Sequence, residues 1–70
     1  MQSIYIRDEY IKLGQAMKLA GLVGSGVEAK ELINGGEVLL NGRVELKRGK
    51  KCVPGDKITF QNEEVMIERK

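Results

Sequence analysis

The fold is decided by residues 25–46, which read SGVEAKELINGGEVLLNGRVEL. The Ser25 hydroxyl can accept a hydrogen bond from the backbone N–H of Glu28, and the Glu28 carboxylate can reach back to the N–H of Ser25. This reciprocal pair is the capping box that marks a helix start. Asn34-Gly35-Gly36 is typical of a glycine-based helix end. The stretch therefore predicts a short helix between Ser25 and Gly35.

A β-hairpin is predicted directly after this helix. Two apolar segments, 38–40 and 44–46, flank Asn41-Gly42, the strongest short hairpin signal in a sequence. A strict two-residue loop would place Leu40 opposite Arg43, so the apolar faces of the two strands would not match. A bulge or a longer loop would restore the match, and the sequence leaves both open.

The segment before the helix predicts a strand and a further helix. Apolar and polar residues alternate over residues 3–7, as in a strand. Over residues 10–20 the apolar side chains recur at helical intervals, and Asp8 can cap this helix. Gly14 weakens it by up to about 1 kcal/mol relative to alanine, so packing must hold it. A glycine-rich turn, residues 21–24, joins the two helices.

Turn residues divide the rest of the chain into short strands. Pro54-Gly55 marks one turn, residues 57–60 alternate as in a strand, residues 61–63 turn again, and residues 65–67 return. The predicted class is α+β, with two short helices in a helix-turn-helix-like pair packed on a small, mainly antiparallel sheet. Seventy residues suffice for one domain with a small core. We expect that domain to span residues 1–70.

The most uneven feature of the charge pattern is Lys47-Arg48-Gly49-Lys50-Lys51, four cations in five positions. The whole chain carries 12 Lys and Arg against 10 Asp and Glu, a net charge of +2. A nearly neutral protein that gathers cations locally builds a positive patch, typical of a partner with a phosphate backbone. A solvated lysine-rich loop without a partner is the alternative. As a binding surface, the run should converge with Lys12, Lys18 and Lys30.

The composition excludes several kinds of chemistry. There is no histidine, the commonest general base and metal ligand, and a single cysteine can form neither an internal disulfide nor a structural zinc site. We interpret Cys52 as a small buried apolar residue and expect no catalysis, no metal and no cofactor. No apolar run approaches the ~20 residues that span a bilayer, and no signal-peptide pattern opens the chain. These features favour the cytoplasm.

The order of these segments matches that of a known family. The matching positions are Lys12-Leu13 through Leu22, Ser25, Ala29, Leu32-Ile33, Gly36, Val38, Asn41-Gly42 and Gly55-Asp56-Lys57-Ile58. Together they resemble the S-four-type RNA-binding domain, with a motif core over about residues 11–60. Small stand-alone bacterial members of the YaaA/YbcJ type are particularly similar at Ile11-Lys12-Leu13-Gly14-Gln15, Glu28-Ala29-Lys30 and Arg48-Gly49-Lys50-Lys51. Two positions depart from the family pattern. Many members have an Asp where this chain has Gly14, and an Arg where this chain has Gly26.

The resemblance implies a non-catalytic protein that docks structured RNA, above all ribosomal RNA, in ribosome assembly or function. The charge pattern and the resemblance together predict RNA-binding residues on the helix pair and on the loop after the hairpin, namely Lys12, Gln15, Lys18, Ser25, Lys30, Lys47, Arg48, Lys50 and Lys51. Base stacking is not expected, because aromatic residues are few and Tyr5 and Phe60 should be buried in strands.

Two other functions remain open from the sequence. The chain could be an accessory subunit that brings a separate RNA-modifying enzyme to its RNA. It could also be a protein–protein interaction module, whose mark would be an exposed apolar patch with cations scattered elsewhere.

Overall fold

The computed structural model describes all 70 residues, which form seven strands and two helices. In chain order they are β1 (Gln2–Ile6), β2 (Ile11–Lys12), α1 (Leu13–Leu19), α2 (Gly26–Asn34), β3 (Val38–Leu40), β4 (Arg43–Val44), β5 (Lys51–Cys52), β6 (Lys57–Phe60) and β7 (Glu63–Arg69). One sheet has the strand order β1-β7-β6-β3-β4, and β2 pairs with β5 in a second sheet. Only β1 and β7 run parallel. This confirms the α+β class.

A single apolar layer lies between the helices and the five-stranded sheet. The strands contribute alternate residues and the helices contribute positions three or four apart, which is why both patterns were visible in the sequence. The buried members are Ile4, Ile6, Leu13, Ala16, Met17, Ala20, Val23, Ala29, Ile33, Val38, Leu40, Cys52, Ile58, Phe60, Val65 and Ile67. Burying one large aliphatic side chain contributes about 1.5–3 kcal/mol. This layer, rather than helix propensity, therefore stabilises the seven-residue α1.

The first helix begins later than predicted. It starts at Leu13 rather than near Tyr10, because the residues before it are extended and pair with β5. Lys12 occupies the N-cap position without a side-chain capping bond, so the prediction that Asp8 caps this helix is wrong.

Both helices end at a glycine in the left-handed region. Gly21 has φ 77° and Gly36 has φ 78°. After α2, the N–H of Gly36 donates to Ile33, and the N–H of Glu37 donates to Leu32. These two bonds close a Schellman motif, as Asn34-Gly35-Gly36 predicted.

The capping box of α2 is confirmed in one half and wrong in the other. The Ser25 Oγ accepts from the Glu28 N–H at 3.1 Å. The Glu28 carboxylate, however, accepts at 2.8 Å from the N–H of Gly24 rather than that of Ser25. Ser25 has an extended backbone (φ −152°, ψ 163°), and the carboxylate binds the donor one residue earlier.

The hairpin turn is a strict two-residue loop. Asn41 has φ 53° and Gly42 has φ 84°, and Leu40 pairs with Arg43. Neither the bulge nor the longer loop is present. The apolar faces need not match, because β4 is a two-residue edge strand with both side chains exposed. The strand predicted at 44–46 is correspondingly shorter.

Two further observations bear on the predictions from sequence. Phe60 is buried as expected, but Tyr5 is 57% exposed, because Ile4 and Ile6 occupy the inner face of β1.

Neither helix is long and apolar enough to cross a membrane.

Candidate nucleic-acid interface

The basic loop, residues 47–50, is held against the start of α1 by backbone hydrogen bonds. The Leu13 N–H donates to the Lys50 carbonyl at 2.9 Å, and the Gly14 N–H donates to the Arg48 carbonyl at 3.1 Å. The first N–H groups of a helix have no partner within it, and here the loop carbonyls supply one. The same two bonds therefore start the helix and fix the loop on its surface.

Gly14 allows the Arg48 side chain to cross the helix closely. This glycine is buried, and a Cβ atom on it would lie 2.6 Å from Arg48 Cγ and 3.3 Å from Arg48 Cδ. Carbon atoms do not approach this closely without displacement. The loop and the helix thus meet at Gly14, a residue whose own helix propensity is low.

A polar concavity of about 340 Å³, here called the basic groove, lies where this loop meets the two helices. No apolar side chain lines it. Its lining residues are Lys12, Gly14, Gln15, Lys18, Gly26, Arg48 and Gly49. The structure therefore brings together four of the predicted site residues, namely Lys12, Gln15, Lys18 and Arg48.

The other predicted cations lie outside the groove. Lys47 and Lys50 are exposed on the basic loop, and the Lys51 ammonium lies 4.8 Å from the centroid of the Tyr10 ring. Lys30 is exposed on α2 and follows Gly26 by four residues, which places it on the same side of that helix one turn further along. Ser25 is exposed and caps α2.

Three groove residues, Gly14, Gly26 and Gly49, have no counterpart among the predicted site residues. Their contribution is the absence of a side chain: no heavy atom lies within 4 Å of a Cβ built on Gly26 or Gly49, so both leave open space. Tyr10, whose ring lies beside the Lys51 ammonium, was likewise not among the predicted site residues.

The cations of the groove are not neutralised by carboxylates. The only salt bridge in the protein joins Lys57 Nζ to Glu64 Oε2 at 3.2 Å, between two strands of the large sheet. Lys12, Lys18 and Arg48 are all exposed and form no ion pair. Three unpaired cations around one concavity produce a local positive potential that attracts anions.

The single thiol has the properties of a core residue. Cys52 is fully buried. Burial, followed by the nearby Asp56 carboxylate, raises the pKa of the thiol to about 12. A thiol that stays protonated is a poor nucleophile, so the interpretation of Cys52 as a small apolar residue is confirmed.

No group of three or more His, Cys, Asp or Glu side chains could hold a metal ion.

Comparison with known proteins shows which family has this fold. A family model described as the S4 domain matches residues 4–68. The chain belongs to the S4 domain family. This is the S-four type that the sequence resembles, and the match extends beyond the motif core at both ends.

Individual relatives agree with the S4 assignment. The chain is 40% identical over 58 residues to the probable ribosome maturation protein RlbA of Bacillus subtilis (strain 168), covering 83% of this chain and 82% of that protein. It is also similar to the solution structure of YbcJ from E. coli, with a TM-score of 0.75 and 29% identity over 97% of this chain and 87% of that one. That structure is described as revealing an ALFAL motif involved in RNA-binding.

Proposed function

We propose that this protein binds structured RNA, and specifically ribosomal RNA, through the basic groove. The observation that carries the proposal is the convergence of Lys12, Lys18 and Arg48, without any carboxylate partner, around a concavity that has no apolar lining. Phosphates are the anions that RNA presents at regular spacing, and exposed unpaired cations bind them at little desolvation cost.

Each polar groove residue would make a different kind of contact with RNA, set by its chemistry. The Lys12 and Lys18 ammonium groups act as point charges toward phosphates. The Arg48 guanidinium can instead bind one phosphate through two parallel hydrogen bonds, the bidentate fork of an arginine. The Gln15 amide can donate to a phosphate or exchange hydrogen bonds with a 2′-hydroxyl, which distinguishes RNA from DNA. The Ser25 hydroxyl accepts from α2 and still has its own proton to donate.

The remaining predicted cations extend the positive surface beyond the groove. Lys47 and Lys50 lie on the same loop as Arg48, Lys51 lies at the start of β5, and Lys30 lies one turn along α2 from the groove. Long-range attraction does not require direct contact, so these cations would speed the encounter with RNA and strengthen binding at low salt.

The similarities support a role in ribosome assembly or function. One relative is named as a probable ribosome maturation protein, and YbcJ carries an RNA-binding motif. We place the protein in the cytoplasm, where ribosomes are assembled and where a free buried thiol such as Cys52 remains reduced. It would act by binding alone, since a chain without histidine and with an inert thiol lacks the usual general base and nucleophile.

Crosslinking in cells, followed by sequencing of the bound RNA, tests this function. We expect crosslinks at discrete sites in ribosomal RNA rather than coverage in proportion to RNA abundance. Lys18→Gln should reduce these crosslinks. The matched control is Lys57→Gln, which removes the same charge from the large sheet and should leave the crosslinks unchanged. Crosslinks spread evenly over abundant RNAs, or equal signals from both variants, would contradict the proposal.

A further inference from the structure

A second concavity, here called the Tyr10 pocket, adjoins the basic groove. Its volume is about 500 Å³, and its lining residues are Asp8, Glu9, Tyr10, Lys12 and Gln15. Lys12 and Gln15 also line the basic groove, so the two concavities meet at these side chains. RNA lying in the groove would pass directly beside the pocket.

Tyr10 gives the pocket an aromatic wall. Tyr10 is 39% exposed, and the Lys51 ammonium lies 4.8 Å from the centroid of its ring, which is a cation–π contact. Lys51 itself does not line the pocket. The contact restrains the ring, and Tyr10 is the only apolar residue among those that line the pocket.

Two of the other lining residues, Asp8 and Glu9, disfavour a phosphate inside the pocket. Asp8 and Glu9 are exposed and form no salt bridge, so their negative charges repel a phosphate that would enter the pocket. The segment that carries them is fixed, because Arg69 Nη1 donates to the carbonyls of Arg7 at 3.0 Å and Asp8 at 2.9 Å. An uncharged nucleobase meets no such repulsion, and the N–H groups on its edge can donate to these carboxylates.

We propose that the Tyr10 pocket takes one unpaired nucleobase, stacked on the Tyr10 ring, while the basic groove holds the neighbouring phosphates. The inference rests on the proposed function and deepens it: the preferred RNA has a nucleotide turned out of its helix within reach of the groove. The prediction that stacking is absent rested on the small number of aromatic residues and on the burial of Tyr5 and Phe60. Of these two, only Phe60 is buried. Every base has a flat face, so stacking of this kind does not depend on base identity.

The test compares two RNA hairpins that differ by one base. One has a single bulged adenine, and the other has an abasic residue at the same position, so both present the same number of phosphates. The wild-type protein should bind the bulged adenine on the order of tenfold more tightly, as is typical of one base stacked on an aromatic side chain. The ratio of the two dissociation constants is the measured quantity.

Variants of the exposed tyrosines assign the effect to the pocket. Tyr10→Leu should bring the ratio close to one, whereas Tyr10→Phe, which keeps the ring, should preserve it. Tyr5→Leu is the matched control, because Tyr5 is an exposed tyrosine on the other face of β1 from the buried Ile4 and Ile6. It should leave the ratio unchanged. Thermal unfolding of each variant shows that it is folded.

The outcomes separate this inference from the proposed function. Equal affinity of the wild-type protein for both hairpins, with a steep dependence on salt, would overturn the Tyr10 pocket and leave RNA binding through the groove intact. A base-dependent ratio that survives in Tyr10→Leu would also overturn it. Absence of binding to either hairpin by folded protein would defeat the proposed function, and the inference with it.

Discussion

The approach of Arg48 to Gly14 leads to a prediction about Gly14→Ala. The new Cβ would lie 2.6 Å from Arg48 Cγ, so the Arg48 side chain must leave its position over the helix. Because Gly14 is the second residue of α1, alanine improves helix propensity by at most about 1 kcal/mol, and overpacking costs about 1–3 kcal/mol. Because Arg48 is exposed and can turn into solvent, the two effects nearly offset each other. We expect the free energy of unfolding to change by no more than about 1 kcal/mol.

RNA affinity should respond far more than stability. A hydrogen bond to a charged group contributes about 1.5–3 kcal/mol, so a displaced Arg48 fork should weaken binding roughly 10- to 150-fold. Fluorescence anisotropy with a labelled ribosomal RNA fragment gives the dissociation constant, and urea unfolding gives the stability. Gly24→Ala is the control, since Gly24 lies outside the groove and the atom nearest to the added Cβ, Glu28 Oε1, is at an ordinary contact distance of 3.8 Å. It should retain affinity.

A double-mutant cycle decides whether Gly14 acts through Arg48. If the arginine carries the effect, adding Gly14→Ala to an Arg48→Ala protein should cause little further loss of affinity. Equal losses in both backgrounds, or wild-type affinity of Gly14→Ala, would refute the reasoning.

Three further predictions concern single residues. Ser25→Ala removes the acceptor of the Glu28 N–H and should lower the free energy of unfolding by about 1 kcal/mol, so an unchanged urea midpoint would count against the cap. Because the pKa of Cys52 rises from 9.0 to about 12 on folding, the unfolded chain ionises first, and stability should fall as pH rises from 9 to 12. Cys52→Ala should remove that dependence in unfolding experiments across this range. Arg48→Lys keeps the charge but loses the fork, so affinity for ribosomal RNA should fall while its salt dependence stays the same; equal affinity would show that the fork is not used.

Local signals account for the part of the fold that could be predicted. The Ser25 cap, the glycine end at Gly36 and the Asn41-Gly42 turn each depend on residues within a few positions of one another, and all three are present. The start of α1 could not be predicted in this way. It depends on carbonyls of the basic loop, which become neighbours of Leu13 only after the chain has folded.

For the candidate site, too, some features could be predicted from the sequence and others depend on the folded structure. The kinds of residue are visible in the sequence, because a run of cations within a nearly neutral chain is unusual. Which cations meet depends on how the basic loop packs on α1, so Arg48 joins Lys12 and Lys18 while Lys47 does not. The exposure of Tyr5 was predictable, since strict alternation places it opposite the inner face of β1.

The salt dependence of RNA binding tests the central claim most directly. If Lys12, Lys18 and Arg48 each neutralise a phosphate, the logarithm of the binding constant should fall against the logarithm of salt with a slope of about −2 to −3. Raising salt from ~50 to ~200 mM should then weaken binding to a ribosomal RNA fragment roughly 20- to 40-fold. Lys18→Gln should reduce the steepness of the slope by about 0.7–0.9, while Lys57→Gln should leave it unchanged. A slope near zero, or identical slopes for the wild type and Lys18→Gln, would contradict the assignment of the basic groove as the RNA-binding site.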